Sequence, residues 1–140
     1  MAVEPGNPFS ELRLQVRYSE TDAMGFVYYA NYLVYFEVAR TTALADLGHP
    51  YWEMEKAGVF IPVLRAHCEY LKPARYGDTL VIRTRRSRLG HARIRFEYEV
   101  RREGGDEILA QGHSEHAFMG RDGKAIRPPR DLAELFPEAA

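Results

Sequence analysis

Residues 29–47 contain no glycine or proline, and their few polar side chains leave most of a helical circumference apolar. This pattern predicts a largely buried helix from Tyr29 to Leu47. Gly48 and Pro50 mark its end, because glycine takes the left-handed cap conformation readily and proline cannot continue a helix. A helix that is apolar nearly all round must be covered by another element, and a β-sheet that curls around it does so.

The sequence on both sides of this helix alternates between apolar and polar residues, as strands with one buried face do. Residues 12–18 show the alternation before the helix, and residues 92–101 show it most clearly after it. We predict that the later strands pair consecutively and antiparallel, which gives an α+β fold with one helix against one sheet. The further predicted strands are residues 59–71, 78–88 and 107–119, with a short return at 124–126.

The chain length of 140 residues matches one ordinary domain. Residues 1–10 contain Pro5, Gly6, Asn7 and Pro8, a composition that disfavours regular structure. They predict a flexible N-terminal arm, and residues 11–140 then form a single domain.

Composition excludes several classes of function. The formal net charge of -1 provides no global field that would attract nucleic acid or an acidic membrane. Cys68 is the single cysteine, so the chain cannot form an intramolecular disulfide. No apolar run is long enough to span a membrane and no segment resembles a signal peptide, which predicts a cytoplasmic protein without a membrane or nucleic-acid partner.

The loop before the long helix carries the strongest chemical signal. Asp22 lies in a segment that turns at Gly25 and leads into the helix start, where the first N–H groups have no intrahelical partner. Such donors can stabilise a carbonyl oxygen that becomes negative during acyl transfer, while a nearby carboxylate attacks or activates water. Taken alone, however, an aspartate at this position is also typical of an Asx turn or a helix cap.

The string YSETDAMGFVYYANYLVYFEVAR, residues 18–40, resembles the signature of the 4-hydroxybenzoyl-CoA thioesterase family. This family includes the acyl-CoA thioesterases of the Tol–Pal type and lies within the hotdog superfamily. A second string, YLKPARYGDTL at residues 70–80, is similar to the family's second-strand and turn pattern. The order of predicted elements fits the family from about residue 11 to 136. The signature positions are Asp22, Gly25, Phe26, Val27, Tyr28, Tyr29, Asn31 and Tyr32.

This resemblance implies a hotdog fold and an acyl-CoA thioesterase that hydrolyses a CoA thioester to a carboxylic acid and CoA. The family's reaction uses no metal and no organic cofactor beyond the CoA substrate. The resemblance also implies a homodimer or homotetramer. The residues support oligomerisation independently, because one sheet with one helix leaves an edge strand and a face uncovered.

The resemblance also implies roles for individual residues. Asp22 is the catalytic carboxylate, either as nucleophile or as general base, and the backbone N–H of Tyr29 polarises the thioester carbonyl. Tyr18 matches a tyrosine near the catalytic carboxylate, although the alternation from Leu12 equally places it on the apolar face of a strand. The other substrate contacts implied are Gly25, Val27 and Tyr28.

Residues 83–95 contain the one concentration of basic side chains. Arginine forks bind phosphate, so this segment is a candidate for contact with the CoA phosphates, and Arg88 and His91 at its turn are the residues we select. The alternative is a solvated outer sheet face whose charge is balanced by Glu97 and Glu99. The arginines are Arg83, Arg85, Arg86, Arg88, Arg93 and Arg95.

Two rival chemistries have weak support in the sequence. Residues 112–116 resemble half of a serine-hydrolase elbow, but they lie in a strand pattern and His116 replaces the second glycine. His113 and His116 point to opposite faces of that strand, which disfavours a metal site.

Two other functions occur on the same fold. Hydratase or dehydratase chemistry would require a histidine five residues after the aspartate, and Val27 occupies that position. A non-catalytic acyl-CoA or acyl-carrier binding module stays open, because a fold alone does not establish activity. The sequence leaves the acyl group and the pathway open as well.

Overall fold

A computed structural model describes residues 6–139 of the chain. A 3₁₀ turn at Tyr18–Glu20 connects the first strand to the loop before the long helix. The elements in chain order are β1 (Phe9–Gln15), α1 (Asn31–Asp46), α2 (Tyr51–Lys56), β2 (Val63–Tyr70), β3 (Thr79–Leu89), β4 (Arg93–Arg102), β5 (Ile108–Ala117) and α3 (Arg130–Ala133).

The five strands form one antiparallel sheet in the order β1-β3-β4-β5-β2. The prediction of consecutive pairing is correct for β3, β4 and β5 but wrong for β2, which pairs with β5 and not with β3. The reason is that β1 occupies the free edge of β3 and leaves β2 to cross to the opposite edge of the sheet.

The sheet curls around α1, because the helix contacts β1 and β2 although these strands lie at opposite edges of the sheet. Register shifts at Val63/Arg65 of β2 and at Val100/Arg101 of β4 contribute to this curvature, since bulges increase local twist. The predicted α+β hotdog arrangement is therefore confirmed. The alternating burial predicted for residues 92–101 is also correct, with Ile94, Phe96, Tyr98 and Val100 buried on the inner face of β4.

The long helix is less buried than its sequence predicts. One side packs into the core, whereas Leu33, Val34 and Val38 on the other side are 42%, 48% and 40% exposed. A sheet from one chain reaches around only part of the helix, so this apolar side has no covering element within the described residues. The residues buried on the inner side are Tyr32, Tyr35, Phe36, Ala39, Arg40, Ala43 and Leu44.

The ends of several elements differ from the prediction. The sheet begins at Phe9 instead of residue 11, and the remainder of the predicted arm, residues 1–5, lies outside the described residues. β1 ends at Gln15, so Tyr18 is not a strand residue. The helix begins at Asn31 because residues 28–30 form turns before it.

Close contact between α1 and the sheet depends on Gly112 of β5. The Phe36 ring stacks on Tyr98 with centroids 4.2 Å apart and planes 3° apart. A Cβ atom at position 112 would lie 2.1 Å from the His67 carbonyl oxygen and 2.9 Å from Phe36 Cε2. The missing side chain therefore allows helix, β2 and β5 to approach one another at this point.

We predict that Gly112→Ala lowers the free energy of unfolding by about 1–3 kcal/mol or more, because the added methyl group overpacks this contact. Urea denaturation measures the change. Gly6→Ala is the matched control, since Gly6 has an open environment and no positive φ. Equal stability of the two variants would contradict this account of Gly112.

Candidate functional site

The Asp22 carboxylate is fixed by the loop that contains it. Its Oδ1 accepts hydrogen bonds from the backbone N–H groups of Met24 at 2.9 Å and Phe26 at 3.2 Å. Gly25, with a φ of 81°, allows the chain to turn back so that Asp22 N–H donates to the Phe26 carbonyl at 2.8 Å. The Asx turn considered from the sequence is therefore present, and Oδ2 has no hydrogen-bond partner among residues 6–139.

The segment before α1 presents free backbone donors to the same region. Asn31 N–H donates to the Tyr28 carbonyl at 2.8 Å, and Tyr32 N–H donates to the Tyr29 carbonyl at 3.3 Å. Within the described part of the chain, the N–H groups of Tyr29 and Ala30 donate to no protein acceptor. The free donors thus lie just before the helix, which begins two residues later than predicted.

Asp22 and Tyr29 line one groove of about 550 Å³ between the loop, the start of α1 and the end of β2. The groove is rich in aromatic side chains, and Tyr29 and Tyr70 pack edge to face with ring centroids 6.2 Å apart. The Tyr70 hydroxyl donates to the Tyr29 carbonyl at 3.1 Å, which ties β2 to the helix start. The lining residues are Asp22, Met24, Phe26, Val27, Tyr28, Tyr29, Tyr32, Tyr70, Leu71, Lys72 and Pro73.

The groove contains most of the residues selected from the sequence signature. Val27 is buried at its base, where its N–H donates to the Ala74 carbonyl at 2.8 Å. Tyr28 is 46% exposed and packs on Tyr29 with ring centroids 4.8 Å apart. Gly25 shapes the turn and does not itself line the groove.

Tyr18 does not join this groove. Its ring is 77% exposed and packs against Tyr76 with centroids 5.5 Å apart. The interpretation of Tyr18 as an apolar-face strand residue is therefore wrong, because the side chain is exposed and lies after the end of β1. Tyr18 also does not line the groove that contains Asp22. The chain leaves β1 after Gln15 and enters the 3₁₀ turn, which turns the Tyr18 side chain outward.

Arg88 and His91 lie at the opposite end of the sheet from Asp22. The Asp22 loop contacts residues 74–75, just before the start of β3, whereas Arg88 is near the end of that strand. Nine residues of strand separate Thr79 from Arg88, which corresponds to about 30 Å. Within one chain, Arg88 and His91 therefore do not line the groove beside Asp22, and Arg88 pairs with Glu138 at 3.6 Å.

The arginine concentration divides between the two faces of the sheet. Arg95 pairs with Glu97 at 3.4 Å and with Glu115 at 3.6 Å on the outer face, as the charge-balanced alternative describes. Arg86 instead points inward and is fully buried, with Nε donating to the Leu135 carbonyl at 2.9 Å. It serves the packing of the C-terminal segment against the sheet.

Residues 112–116 lie within β5, so the serine-elbow interpretation has no strand-to-helix turn to support it. His113 is on the outer face, stacked on His67, and His116 is buried on the inner face, which agrees with the predicted opposite orientations. Among residues 6–139 no group of three or more potential ligand side chains is placed to hold a metal ion. No described helix is long and apolar enough to cross a membrane.

Glu20 supports the site and was missed in the sequence. Its side chain is 9% exposed, and Oε1 accepts hydrogen bonds from Arg17 N–H at 2.8 Å and from the Tyr35 hydroxyl at 3.0 Å. Its carbonyl accepts from Tyr28 N–H and from Asn31 Nδ2, both at 2.8 Å. Glu20 therefore connects the 3₁₀ turn to α1 and fixes the loop that carries Asp22.

Burial opposes ionisation of Glu20, but the hydrogen bonds from Arg17 and Tyr35 outweigh it and lower the pKa of the carboxyl below its ordinary value. In turn, burial and the neighbouring Glu20 carboxylate raise the pKa of the Tyr35 hydroxyl above its ordinary value. At neutral pH the pair is a carboxylate and a neutral phenol.

Comparison with known proteins identifies the family. A family model described as the thioesterase-like superfamily matches residues 16–136. The chain belongs to the thioesterase-like superfamily.

Individual relatives agree with this assignment. YneP of Bacillus subtilis, a putative acyl-CoA thioesterase, is 52% identical over 75 residues, so the match spans about half of each chain, 54%. A putative esterase of Aquifex aeolicus is 34% identical over 124 residues, 89% of this chain and 94% of that protein. The crystal structure of a DHNA-CoA thioesterase from Staphylococcus aureus matches with a TM-score of 0.80 at 34% identity, covering 85% of this chain and 80% of that one.

The match thus confirms the thioesterase superfamily that the segment around Asp22 predicts. The comparisons do not favour the 4-hydroxybenzoyl-CoA and Tol–Pal branch over other branches, because a relative of comparable similarity is named for DHNA-CoA.

We predict that Glu20→Gln destabilises the thioesterase-like chain by about 1–3 kcal/mol at neutral pH, because the amide has no charge and its NH₂ group cannot accept the bonds that Oε2 accepts from the Arg17 guanidinium. The folded pKa of Glu20 lies below its unfolded value, so its stabilising effect is complete above the ordinary glutamate pKa. The effect is lost as the pH falls through the folded pKa.

Urea denaturation at neutral and acidic pH measures this difference between wild type and variant. Glu11→Gln, on the exposed face of β1, is the control and changes little at either pH. A Glu20→Gln penalty that grows on acidification would contradict the assigned role of the ionised carboxylate.

Proposed function

We propose that the protein is an acyl-CoA thioesterase that hydrolyses a CoA thioester to a carboxylic acid and free CoA. Its class, a thioester-hydrolysing enzyme, follows from the superfamily match and from the activities for which its relatives are named. The observation that carries the specific proposal is one groove lined by both Asp22 and Tyr29, where the backbone N–H groups of Tyr29 and the adjacent Ala30 have no protein acceptor among the described residues.

In this proposal the thioester carbonyl oxygen binds near the N–H groups of Tyr29 and Ala30. These donors stabilise the negative charge that develops on the oxygen when the carbonyl carbon is attacked. The Asp22 oxygen without a hydrogen-bond partner, Oδ2, either attacks the carbon or removes a proton from an attacking water. The thiolate of CoA then leaves and takes up a proton. When water is the nucleophile, this step gives the carboxylic acid directly; when Asp22 attacks, it leaves an acyl-Asp22 anhydride, which water then hydrolyses to release the acid and restore the carboxylate. No step of this proposal requires a metal ion or an organic cofactor beyond the substrate.

The groove lining supports an acyl thioester as the ligand. Tyr28, Tyr29 and Tyr70 offer aromatic surface for the acyl or pantetheine chain, and Lys72 places a positive charge at the same groove. Lys72 pairs with Glu107 at 2.5 Å, so a CoA phosphate would compete with that carboxylate for it.

Asp22→Asn tests the proposed chemistry, because the asparagine side-chain oxygen can still accept the bonds from Met24 and Phe26 that hold the loop. We expect kcat to fall by about 10²- to 10⁴-fold while the unfolding temperature changes little. Release of free thiol from a panel of acyl-CoAs measures the activity. Asp106→Asn, in the exposed turn between β4 and β5, is the matched control.

Full activity in Asp22→Asn would contradict the role of the carboxylate. Binding of CoA esters by the wild type without turnover of any of them would favour the alternative of a non-catalytic acyl-CoA or acyl-carrier binding module. The hydratase or dehydratase alternative lacks its histidine, since buried Val27 lies at that position.

We also propose that two copies pair along β2. This edge strand is exposed on both faces, and its other side has no strand partner among the described residues. Val63 of β2 is 50% exposed and lines one cavity with Leu33 and Val34, which belong with Val38 to the uncovered side of α1. A second copy related by a two-fold axis would cover both the strand edge and this apolar side, because such an interface is self-complementary.

Val38→Glu tests the interface, because Val38 lies on the uncovered side of α1 and a carboxylate there would become buried against the second copy. We expect sedimentation velocity to show a dimer or tetramer for wild type and a shift towards monomer for the variant. Ser19→Glu, in the exposed 3₁₀ turn, is the control and leaves the assembly unchanged. A monomeric wild type would contradict the pairing.

A further inference from the structure

A second cavity of about 240 Å³ lies farther along the gap between α1 and β2. Apolar side chains of both elements form part of its wall, including Leu33, Val34 and Ala66. Three polar residues line it as well: Glu37 and Arg40 from α1 and Ser114 from β5. The cavity therefore combines an apolar wall with groups that can bind an oxygen atom.

Arg40 is a buried cation without an acidic partner. The residue is 9% exposed, and its Nε has no hydrogen-bond partner among residues 6–139. Burial disfavours its charged form, but the neighbouring Tyr98 and Tyr51 hydroxyls raise its pKa overall, so the guanidinium stays charged. Glu37 lines the same cavity, yet it is exposed and forms no ion pair with Arg40. An isolated buried charge is costly unless something compensates it.

The groups around Arg40 are neutral hydrogen-bonding groups. Ser114 Oγ lies 2.6 Å from the Tyr98 hydroxyl and 2.8 Å from His116 Nε2. Burial and the Arg40 charge lower the pKa of His116 to about 4, so its ring is uncharged at neutral pH. The buried part of the cluster thus carries the Arg40 charge without an ion pair, while Glu37 lies at the exposed rim of the cavity. A ligand with an anionic oxygen that reaches the buried part would neutralise this charge.

The cavity lies in line with the Asp22 groove. Tyr32 and Tyr70 line the groove, and Phe36 and Ala66 line the cavity, so both occupy the same gap between α1 and β2. The helix rises about 14 Å from its start at Asn31 to Arg40, and helical side chains point back towards the helix start, which leaves about 10 Å between the two sites.

We propose that the cavity is a specificity subsite that binds a carboxylate at the far end of the acyl group, with Arg40 as its ion-pair partner. This inference rests on the proposed thioesterase function and narrows its substrate class to ω-carboxyacyl thioesters. The apolar wall contacts the intervening chain, and the Ser114 hydroxyl supplies a further hydrogen bond.

Matched pairs of thioesters test the subsite. The carboxylate-ended members are adipoyl-, suberoyl- and sebacoyl-CoA, and the methyl-ended members of equal length are hexanoyl-, octanoyl- and decanoyl-CoA. We expect wild type to prefer the carboxylate in kcat/KM by about ten- to a hundredfold once the chain is long enough to reach Arg40. The preference falls to near one in Arg40→Met and is partly restored in Arg40→Lys.

The ratio within each pair is the informative quantity, because partial unfolding of a variant lowers both members equally. Hydrolysis by wild type without a carboxylate preference at any length would overturn the subsite and leave the proposed function intact. If Arg40→Met lowers kcat/KM equally for both members of a pair, Arg40 has a structural role only, and the subsite is also overturned.

Failure to hydrolyse any thioester would instead contradict the proposed function. Calorimetric binding of the same pairs to Asp22→Asn and to the double variant with Arg40→Met then tests the subsite without turnover. Tighter binding of the carboxylate-ended member that depends on Arg40 supports it, and equal binding of both members overturns it.

Discussion

The stacking of Phe36 on Tyr98 above Gly112 is the contact on which the rest of the structure depends. It sets the distance between α1 and the sheet, because a side chain at position 112 would separate them. The position of the helix in turn fixes the gap between α1 and β2, where the Asp22 groove and the second cavity lie. A sheet position without a side chain therefore determines how much space the ligand has.

The charges inside the molecule divide into two kinds. Glu20 is ionised, buried and fully engaged with Arg17 and Tyr35, so its charge serves to hold the loop against the helix. Arg40 is equally buried but forms no ion pair with any described residue, and its buried neighbours are neutral hydroxyl groups. A buried charge is stable only when another group compensates it. The Glu20 charge is compensated within the chain, whereas the Arg40 charge would be compensated by a bound anion.

The sequence predicted those features that depend on local pattern. The inner face of β4, the helix end at Gly48 and the Asp22 turn all follow from alternation or from backbone preference within a few residues. The sequence did not predict that β2 crosses to β5, because this choice depends on which edge β1 occupies. It also did not predict the roles of Glu20 and Arg40, whose partners lie on other elements and leave no spacing signal. Arg88 and His91 illustrate the converse, since residues selected from one cluster in the sequence lie at the far end of β3 from the Asp22 loop.

The Asx turn at Asp22 lowers the entropy cost of the proposed reaction. Two backbone N–H groups bind Oδ1, so the carboxylate has lost its rotational freedom before any substrate arrives. A free aspartate side chain would have to give up that entropy at the moment of reaction, which would add to the barrier. The turn is also found in ordinary loops, but here it fixes the direction of Asp22 Oδ2 when the chain folds.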